Sequence, residues 1–252
     1  MYGGARVPSL AAWQWILGST CALLVGISKS GVPGFGIAVV PLMVMVVGNA
    51  RASAGWLLPM LCTADLFAIA YYRRHAQARR LFDLAPWVLV GMAAGAVALG
   101  WGEAVLRPVI GAIVLVMIAA YLWRKGRQRT TVPTGLSHSA PYGVLAGFAT
   151  TVANAAGPVM NVYLLSKRLP KEEFVAAGAW FFFLINLVKL PIYRWRGMIT
   201  GRSLLFDACM VPAVAVGAIL GRKLVRRLAQ TTFENVVLAL TAVATLLMFL
   251  PR

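Results

Sequence analysis

Two polar stretches interrupt long apolar runs of this chain, and their side chains are suited to binding a small anion. The first covers residues 28–36, and the second covers residues 150–158, 122 residues later. Hydroxyl, amide and ammonium groups can donate hydrogen bonds to an anion in a partly dry cavity, and the free N–H groups that begin a helix add partial positive charge. The residues that we predict to bind such an anion are Ser28, Lys29, Ser30, Gly31, Gly34, Phe35, Gly36, Thr150, Thr151, Asn154, Gly157 and Asn161.

Glycine and proline in these stretches indicate broken helices. Gly34 and Gly157 allow the backbone to turn and a ligand to approach closely, and Pro158 suits the first position of a helix. The alternative is that the breaks are packing kinks of membrane helices. Lys29 either adds positive charge to the site or extends to water at a hairpin tip. Asn154 either contacts the ligand or joins two helices.

Ionisable side chains inside apolar runs form a second set of candidates, because a charge within a bilayer is costly and usually functional. Asp65 is the one acid well inside a predicted crossing, and Lys189 lies at the corresponding position 124 residues later. Asp65 is interpreted as a proton- or ion-coupling residue in a polar cavity, as one partner of a structural ion pair with Lys189, or as a side chain that extends to water. Asn186, one turn before Lys189, is expected to line the same cavity. Asp83 and Asp207 precede apolar segments and are interpreted as helix N-caps.

Composition indicates that the elements holding these residues are membrane helices. Apolar residues make up 60% of the 252 residues and charged residues 12%, which leaves too much apolar surface for a soluble domain. Six apolar runs approach the roughly 20 residues that a helical crossing needs. The runs at 36–48 and 158–166 are too short and must be half-helices. The other apolar runs lie at about 12–28, 51–72, 84–101, 104–123, 140–153, 172–193, 203–221 and 231–250.

The basic residues indicate how the two short runs sit in the membrane. If each short run and the run before it form a helical hairpin, one membrane face receives 15 basic residues and the other receives 7. A continuous, kinked crossing gives a weaker bias, and basic loops face the cytoplasm, so the hairpin is preferred and both termini are expected outside the cytoplasm. The predicted cytoplasmic residues are Arg73, Arg74, Arg79, Arg80, Arg124, Lys125, Arg127, Arg129, Lys167, Arg168, Lys171, Arg222, Lys223, Arg226 and Arg227. The predicted outer residues are Arg6, Arg51, Arg107, Arg194, Arg196, Arg202 and Arg252.

The two halves of the chain resemble each other weakly in sequence. The Leu-Phe-Asp run at 81–83 recurs at 205–207, and the glycine pair at 91 and 95 recurs at 217 and 221. With the hairpins, each half makes an odd number of net crossings, so the second half enters from the opposite side. We therefore predict an all-α integral membrane protein built as an inverted repeat of two halves, each a broken-helix hairpin plus three transmembrane helices. The expected divisions are an N-terminal membrane repeat at 1–123, a basic cytoplasmic linker at 124–138 and a C-terminal membrane repeat at 139–252.

At these residues the chain resembles the sulfite exporter TauE/SafE family of membrane transporters. The resemblance rests on the glycine-rich break that leads to Pro41, on Arg51-Ala52, on the Tyr71–Arg74 end of the third run, and on a repeat of this pattern from 147 to 221. It covers nearly the whole chain, although both breaks are poorer in glycine than is usual in the family, the second more than the first. The resemblance implies a transporter of sulfite, organosulfonates or other small organic acids.

The expected function is therefore secondary transport of a small anion across the bacterial inner (plasma) membrane, by alternating access as the two halves rock around a central site between the breaks. No GxxxxGK[ST] nucleotide-binding loop is present, and seven acids with two histidines offer little for an enzyme, so no catalytic residue, metal or cofactor is predicted. The three cysteines, Cys21, Cys62 and Cys209, are interpreted as small buried hydrophobes. The alternatives are a non-transporting membrane scaffold subunit and a thiol-relay membrane protein. Membrane lipid is an expected partner, nucleic acid is not, and a homo-oligomer is left open.

Overall fold

The computed structural model describes residues 10–75, 84–98, 103–126, 136–153 and 156–249, and its regular elements within these ranges are helices. The predicted all-α class is confirmed. Four helices are long and apolar enough to cross a membrane, namely those at 51–72, 171–195, 201–227 and 230–249. The α-helices are α1 (Ala12–Ser30), α2 (Val39–Val47), α3 (Ala50–Tyr72), α4 (Ala85–Ala98), α5 (Glu103–Gly126), α6 (Leu136–Ala153), α7 (Ala156–Ser166), α8 (Lys171–Trp195), α9 (Gly201–Arg227) and α10 (Gln230–Leu246). Short 3₁₀ turns cover Phe35–Ala38, Arg73–His75 and Leu247–Phe249.

Local capping residues set the beginnings of two long helices. The Asn49 side chain accepts a hydrogen bond of 2.9 Å from the Ala52 amide at the start of α3. The Thr200 side chain accepts one of 3.2 Å from the Ser203 amide at the start of α9. The interpretation of Asp207 as an N-cap is therefore wrong, because Thr200 caps this helix and α9 begins well before Asp207. Asp83 lies outside the described residues.

The first break turns the chain back along the helix that it follows. α1 ends at Ser30, and Gly34 adopts a left-handed conformation with φ 116°, which favours glycine. The Phe35–Ala38 turn and α2 then follow. The Gln14 side-chain amide, near the start of α1, donates a 2.7 Å hydrogen bond to the Val46 carbonyl, near the end of α2. The segment at 12–47 is therefore a helical hairpin.

The helices on either side of the second break also lie against each other. Tyr142, near the start of α6, and Tyr163, near the end of α7, have ring centroids 5.3 Å apart. α7 therefore returns along α6, as α2 returns along α1. The two short helices are half-helices, as their lengths indicated.

The described residues fall into two compact units. The first combines Met1–His75 with Ala179–Leu228, and the second combines Ala76–Gly178 with Ala229–Arg252. Each unit thus takes segments from both of the halves expected from sequence. The inverted repeat and its division at 124–138 stay predictions, and residues 127–135 of that linker lie outside the described residues.

Glycines allow one close helix pair in each unit. In the first unit, a Cβ at Gly26 of α1 would lie 2.7 Å from the Ala218 amide nitrogen of α9 and would also meet the Val214 carbonyl. In the second, a Cβ at Gly147 of α6 would lie 2.8 Å from the Met92 nitrogen of α4. Backbones this close pack by van der Waals contact, which is the main source of helix association where lipid gives no hydrophobic driving force. The first pair holds α1, which ends at the first break, and the second holds α6, which ends at the second break.

Candidate functional site

An ion pair in the first unit is the centre of the candidate site. The Lys29 Nζ lies 2.9 Å from the Asp65 Oδ1, and the Asn186 side-chain amide donates a 3.2 Å hydrogen bond to the Asp65 Oδ2. Lys29 also lies over the Phe182 ring, with its Nζ 4.2 Å from the centroid. Asp65 is fully buried, whereas the Lys29 side chain keeps 16% of its surface exposed. The Asp65 carboxylate is therefore enclosed by the protein, whereas part of the Lys29 side chain is accessible from outside.

Three helices position this pair. Lys29 lies in the last turn of α1, where the helix dipole favours a cation. Asp65 lies in the interior of α3, and Phe182 and Asn186 lie four residues apart on one face of α8. The Tyr72 hydroxyl donates a 2.9 Å hydrogen bond to the Ser30 carbonyl, so the end of α3 holds the end of α1. This bond fixes the end of α1, next to Lys29, against the end of α3.

The pairing corrects two expectations from the sequence. Asp65 pairs with Lys29 and not with Lys189, because the end of α1 reaches α3 inside this unit. Lys29 does not extend to water at the hairpin tip, because Asp65 and the Phe182 ring hold its ammonium. Lys189 is itself buried, with 6% of its surface exposed. The carboxylate of Asp65 is enclosed by polar partners, which is the arrangement that an acid within an apolar helix requires.

The residues of the first break have different local surroundings. The Ser30 hydroxyl is buried and has no hydrogen-bond partner among the described residues. A Cβ at Gly36 would lie 3.2 Å from the Ser28 Oγ, so Gly36 lets the return segment pass close to that hydroxyl. A Cβ at Gly31 would lie 2.7 Å from the Gly221 Cα of α9, so packing alone accounts for glycine there. Phe35 is exposed.

The residues of the second break belong to the second unit. Thr150 is buried, and the Thr151 hydroxyl donates to the Gly147 carbonyl of its own helix at 2.9 Å. The Asn161 side-chain amide donates to the Thr241 hydroxyl at 3.0 Å, which joins α7 to α10. A Cβ at Gly157 would meet nothing within 4 Å. Asn154 lies outside the described residues. The anion-binding roles of these residues stay predictions.

Sequence reasoning missed two features of the first unit. Phe182 is the middle residue of a run of three phenylalanines and was not among the predicted site residues, yet its ring covers the Lys29 ammonium. Asp207 is buried in α9, and neither of its carboxylate oxygens has a hydrogen-bond partner in the described part of the chain. The available signal for Asp207 was its apolar surroundings in sequence, which also fitted a helix start.

The expectation that the cysteines are buried holds for two of the three. Cys21 and Cys62 are buried, but Cys209 is exposed on α9, so the expectation of burial is wrong for Cys209. Within the described ranges, no group of three or more histidine, cysteine or acidic side chains is placed to hold a metal ion.

Comparisons with known proteins identify one family. The family model described as sulfite exporter TauE/SafE matches residues 19–248, which includes every described residue of both breaks and of the ion pair. No curated protein and no solved structure matches the chain.

Proposed function

This chain belongs to the sulfite exporter TauE/SafE family of membrane transporters, and we propose that it is a secondary transporter that moves a small anion by alternating access. Sulfite, an organosulfonate or a related organic acid is the substrate class that the family match supports. The observation that supports anion binding by this chain itself is the Lys29 ammonium beside the first break, balanced by a buried carboxylate.

The anion competes with Asp65 for Lys29. In the structure Lys29 is neutralised by Asp65, and its partly exposed side makes it the accessible member of the pair. A substrate oxygen that accepts from the ammonium replaces the Asp65 Oδ1 and gains a charge-assisted hydrogen bond. The hydroxyls of Ser28 and Ser30, on the same segment, are the nearest donors in sequence for its remaining oxygens.

The exchange of partners gives a reason for proton coupling. When the anion binds the Lys29 ammonium, Asp65 retains its hydrogen bond from the Asn186 amide. It loses its counter-ion, however, in a fully buried position. An unpaired carboxylate in such a place is costly, so uptake of a proton from water accompanies binding of the anion. Release of the anion restores the ion pair and returns the proton. Anion and proton then move in the same direction.

Ligand-induced stabilisation of purified protein tests the binding step. Sulfite, methanesulfonate and acetate are the probes, because a bound ligand raises the melting temperature by mass action. We expect Lys29→Met to remove the shift produced by the binding anion. We expect Asp65→Asn to enlarge it, because the competing carboxylate is gone. Lys125→Met is the matched control, since Lys125 is an exposed lysine whose ammonium lies 3.9 Å from Glu234.

Uptake of radiolabelled sulfite, methanesulfonate or acetate into proteoliposomes tests the transport step. An inwardly directed proton gradient is expected to drive accumulation by the wild-type protein, and Asp65→Asn is expected to reduce accumulation to the level of exchange. If wild-type protein moves none of the three probe anions, the chain is a scaffold subunit and the proposal fails. If Lys29→Met binds and transports as well as wild type, the site lies elsewhere.

A further inference from the structure

Asp207 is a buried acid that the proposed transport site does not use. It lies in α9, six residues after Gly201, with 7% of its surface exposed. Both carboxylate oxygens are buried, and within the described residues neither receives a hydrogen bond. Asp65, in contrast, has a cation and an amide donor. Asp65 therefore has partners that stabilise a carboxylate, whereas the described residues give Asp207 no such partner.

Asp207 follows a residue of the apolar core. That residue, Phe206, packs against the rings of Trp15 and Trp56, with centroid distances of 5.4 and 5.1 Å. α9 packs on α1 and α3 in this unit. The other buried ionisable groups on those two helices are the thiols of Cys21 and Cys62, the phenol of Tyr72 and the ion pair of Lys29 with Asp65. The cation in this set, Lys29, is paired with Asp65.

We propose that Asp207 is a proton-binding site, occupied by a proton in this conformation and emptied in a conformation that admits water. A buried, ionised carboxylate without hydrogen-bond donors is too costly to keep, so the neutral acid is the form that this packing accommodates. The proton comes from water when the site closes and returns to water when it opens. The proposal rests on the proposed transport function, to which it adds a second proton site.

The two acids lie at different depths along parallel helices. Trp56 contacts Phe206, and Arg222 lies over the Tyr71 ring, so α3 and α9 run in the same direction. In this register Asp65 is level with about residue 216 of α9, which places Asp207 about 13 Å nearer to the beginning of the helices at 1.5 Å per residue. A proton cannot pass directly between acids at this separation. Asp207 is thus a separate proton-binding site, nearer to the beginning of α9.

Infrared spectroscopy of protein in lipid nanodiscs tests the protonation state without a substrate. The difference spectrum of wild type minus Asp207→Asn at neutral pH is expected to show the C=O stretch of a protonated carboxyl group. The difference spectrum of wild type minus Asp65→Asn is the control and is expected to show carboxylate bands. If Asp207→Asn does not fold, Asp207→Glu retains the acid and shifts the same band. A carboxylate signal from Asp207 at neutral pH overturns the proposal.

Transport supplies the second readout. In proteoliposomes with radiolabelled sulfite, Asp207→Asn is expected to remove the increase in uptake that a pH gradient produces. Gradient-driven uptake by Asp207→Asn equal to that of wild type overturns the coupling role. If wild-type protein transports no anion, the proposed function fails, whereas the infrared result still decides whether Asp207 holds a proton. The two failures are therefore distinguishable.

Discussion

At the scale of single residues, the pair of Lys29 and Asp65 is stable because each charged side chain offsets the free-energy cost of burying the other. Without Lys29, the carboxylate at the fully buried position of Asp65 would keep the Asn186 amide as its one donor among the described residues. Lys29 adds a charge at 2.9 Å, and the electron-rich face of the Phe182 ring supports its ammonium. Removing one member of such a pair leaves the other charge buried and unpaired, which typically costs more than removing both.

This asymmetry predicts the result of a double-mutant cycle. Lys29→Met and Asp65→Asn are each expected to lower the free energy of unfolding by about 3–5 kcal/mol, the usual cost of breaking a buried pair. The combination of both is expected to recover most of that loss. Melting temperatures in detergent, measured without substrate, provide the comparison. Asp65→Asn with Lys189→Met is the matched control and should show no recovery. A double variant of Lys29 and Asp65 as unstable as the sum of its singles would contradict the pairing.

The sequence predicted that Asp65 needs polar partners, but it did not predict which residues those partners are. An acid inside a 22-residue apolar run had to be enclosed by polar groups, and Asp65 is. Its partner depended on three helices, α1, α3 and α8, whose packing no local pattern encodes. The same limit explains the error at Asp207, since an acid before an apolar run has the same local signature whether it caps a helix or lies inside one. The residue that caps α9 is Thr200, which lies earlier in the chain than Asp207.

At the scale of helices, glycines determine how closely α1 and α9 approach. Gly26 lies against the backbone of Val214 and Ala218, and Gly217 lies against the Leu23 carbonyl. The two helices run in the same direction, because Gly18 meets Phe206 at one end and Gly31 meets Gly221 at the other. Any side chain at these contacts must push the helices apart, and Lys29 and Asp207 would move with them.

A single added methyl group tests this packing. Gly26→Ala is expected to lower the free energy of unfolding by about 1–3 kcal/mol, the usual cost of overpacking, because backbone atoms cannot move aside as a flexible side chain does. Gly126→Ala is the matched control, since a Cβ there meets nothing within 4 Å. The fraction of protein that stays monodisperse after heating measures both variants. Equal stability of Gly26→Ala and wild type would show that the helices are not held at this distance.

The helices themselves were largely predictable, and their partners were not. The apolar runs at 51–72 and 172–193 correspond to α3 and α8 within a few residues, because a bilayer requires every backbone group to be paired inside its own helix. Short length alone identified α2 and α7 as half-helices. Which helices pack together depends on contacts between residues more than 100 positions apart, such as Gly26 with Ala218, and the hydropathy pattern contains no such information.

At the scale of the whole molecule, the two hairpins bear on the orientation of the chain in the membrane. The bond from Gln14 to the Val46 carbonyl brings residue 47 back to the side where α1 begins, and the contact of Tyr142 with Tyr163 does the same for α7. Each hairpin then contributes no net crossing. The predicted inverted repeat also requires α1 and α9 to run in the same direction, as they do in the first unit. The repeat remains a prediction that orientation measurements can test.

Reporter fusions at two positions test that orientation. The 15 basic residues on one predicted face and 7 on the other place the loop around Gln128 in the cytoplasm and Arg252 outside it. A phosphatase that folds only outside the cytoplasm is expected to be active when fused after Arg252 and inactive when fused after Gln128. A fluorescent protein that matures only in the cytoplasm should give the opposite pattern, which controls for expression. A cytoplasmic Arg252 would mean that one hairpin crosses the membrane after all, and the inverted repeat would fail with it.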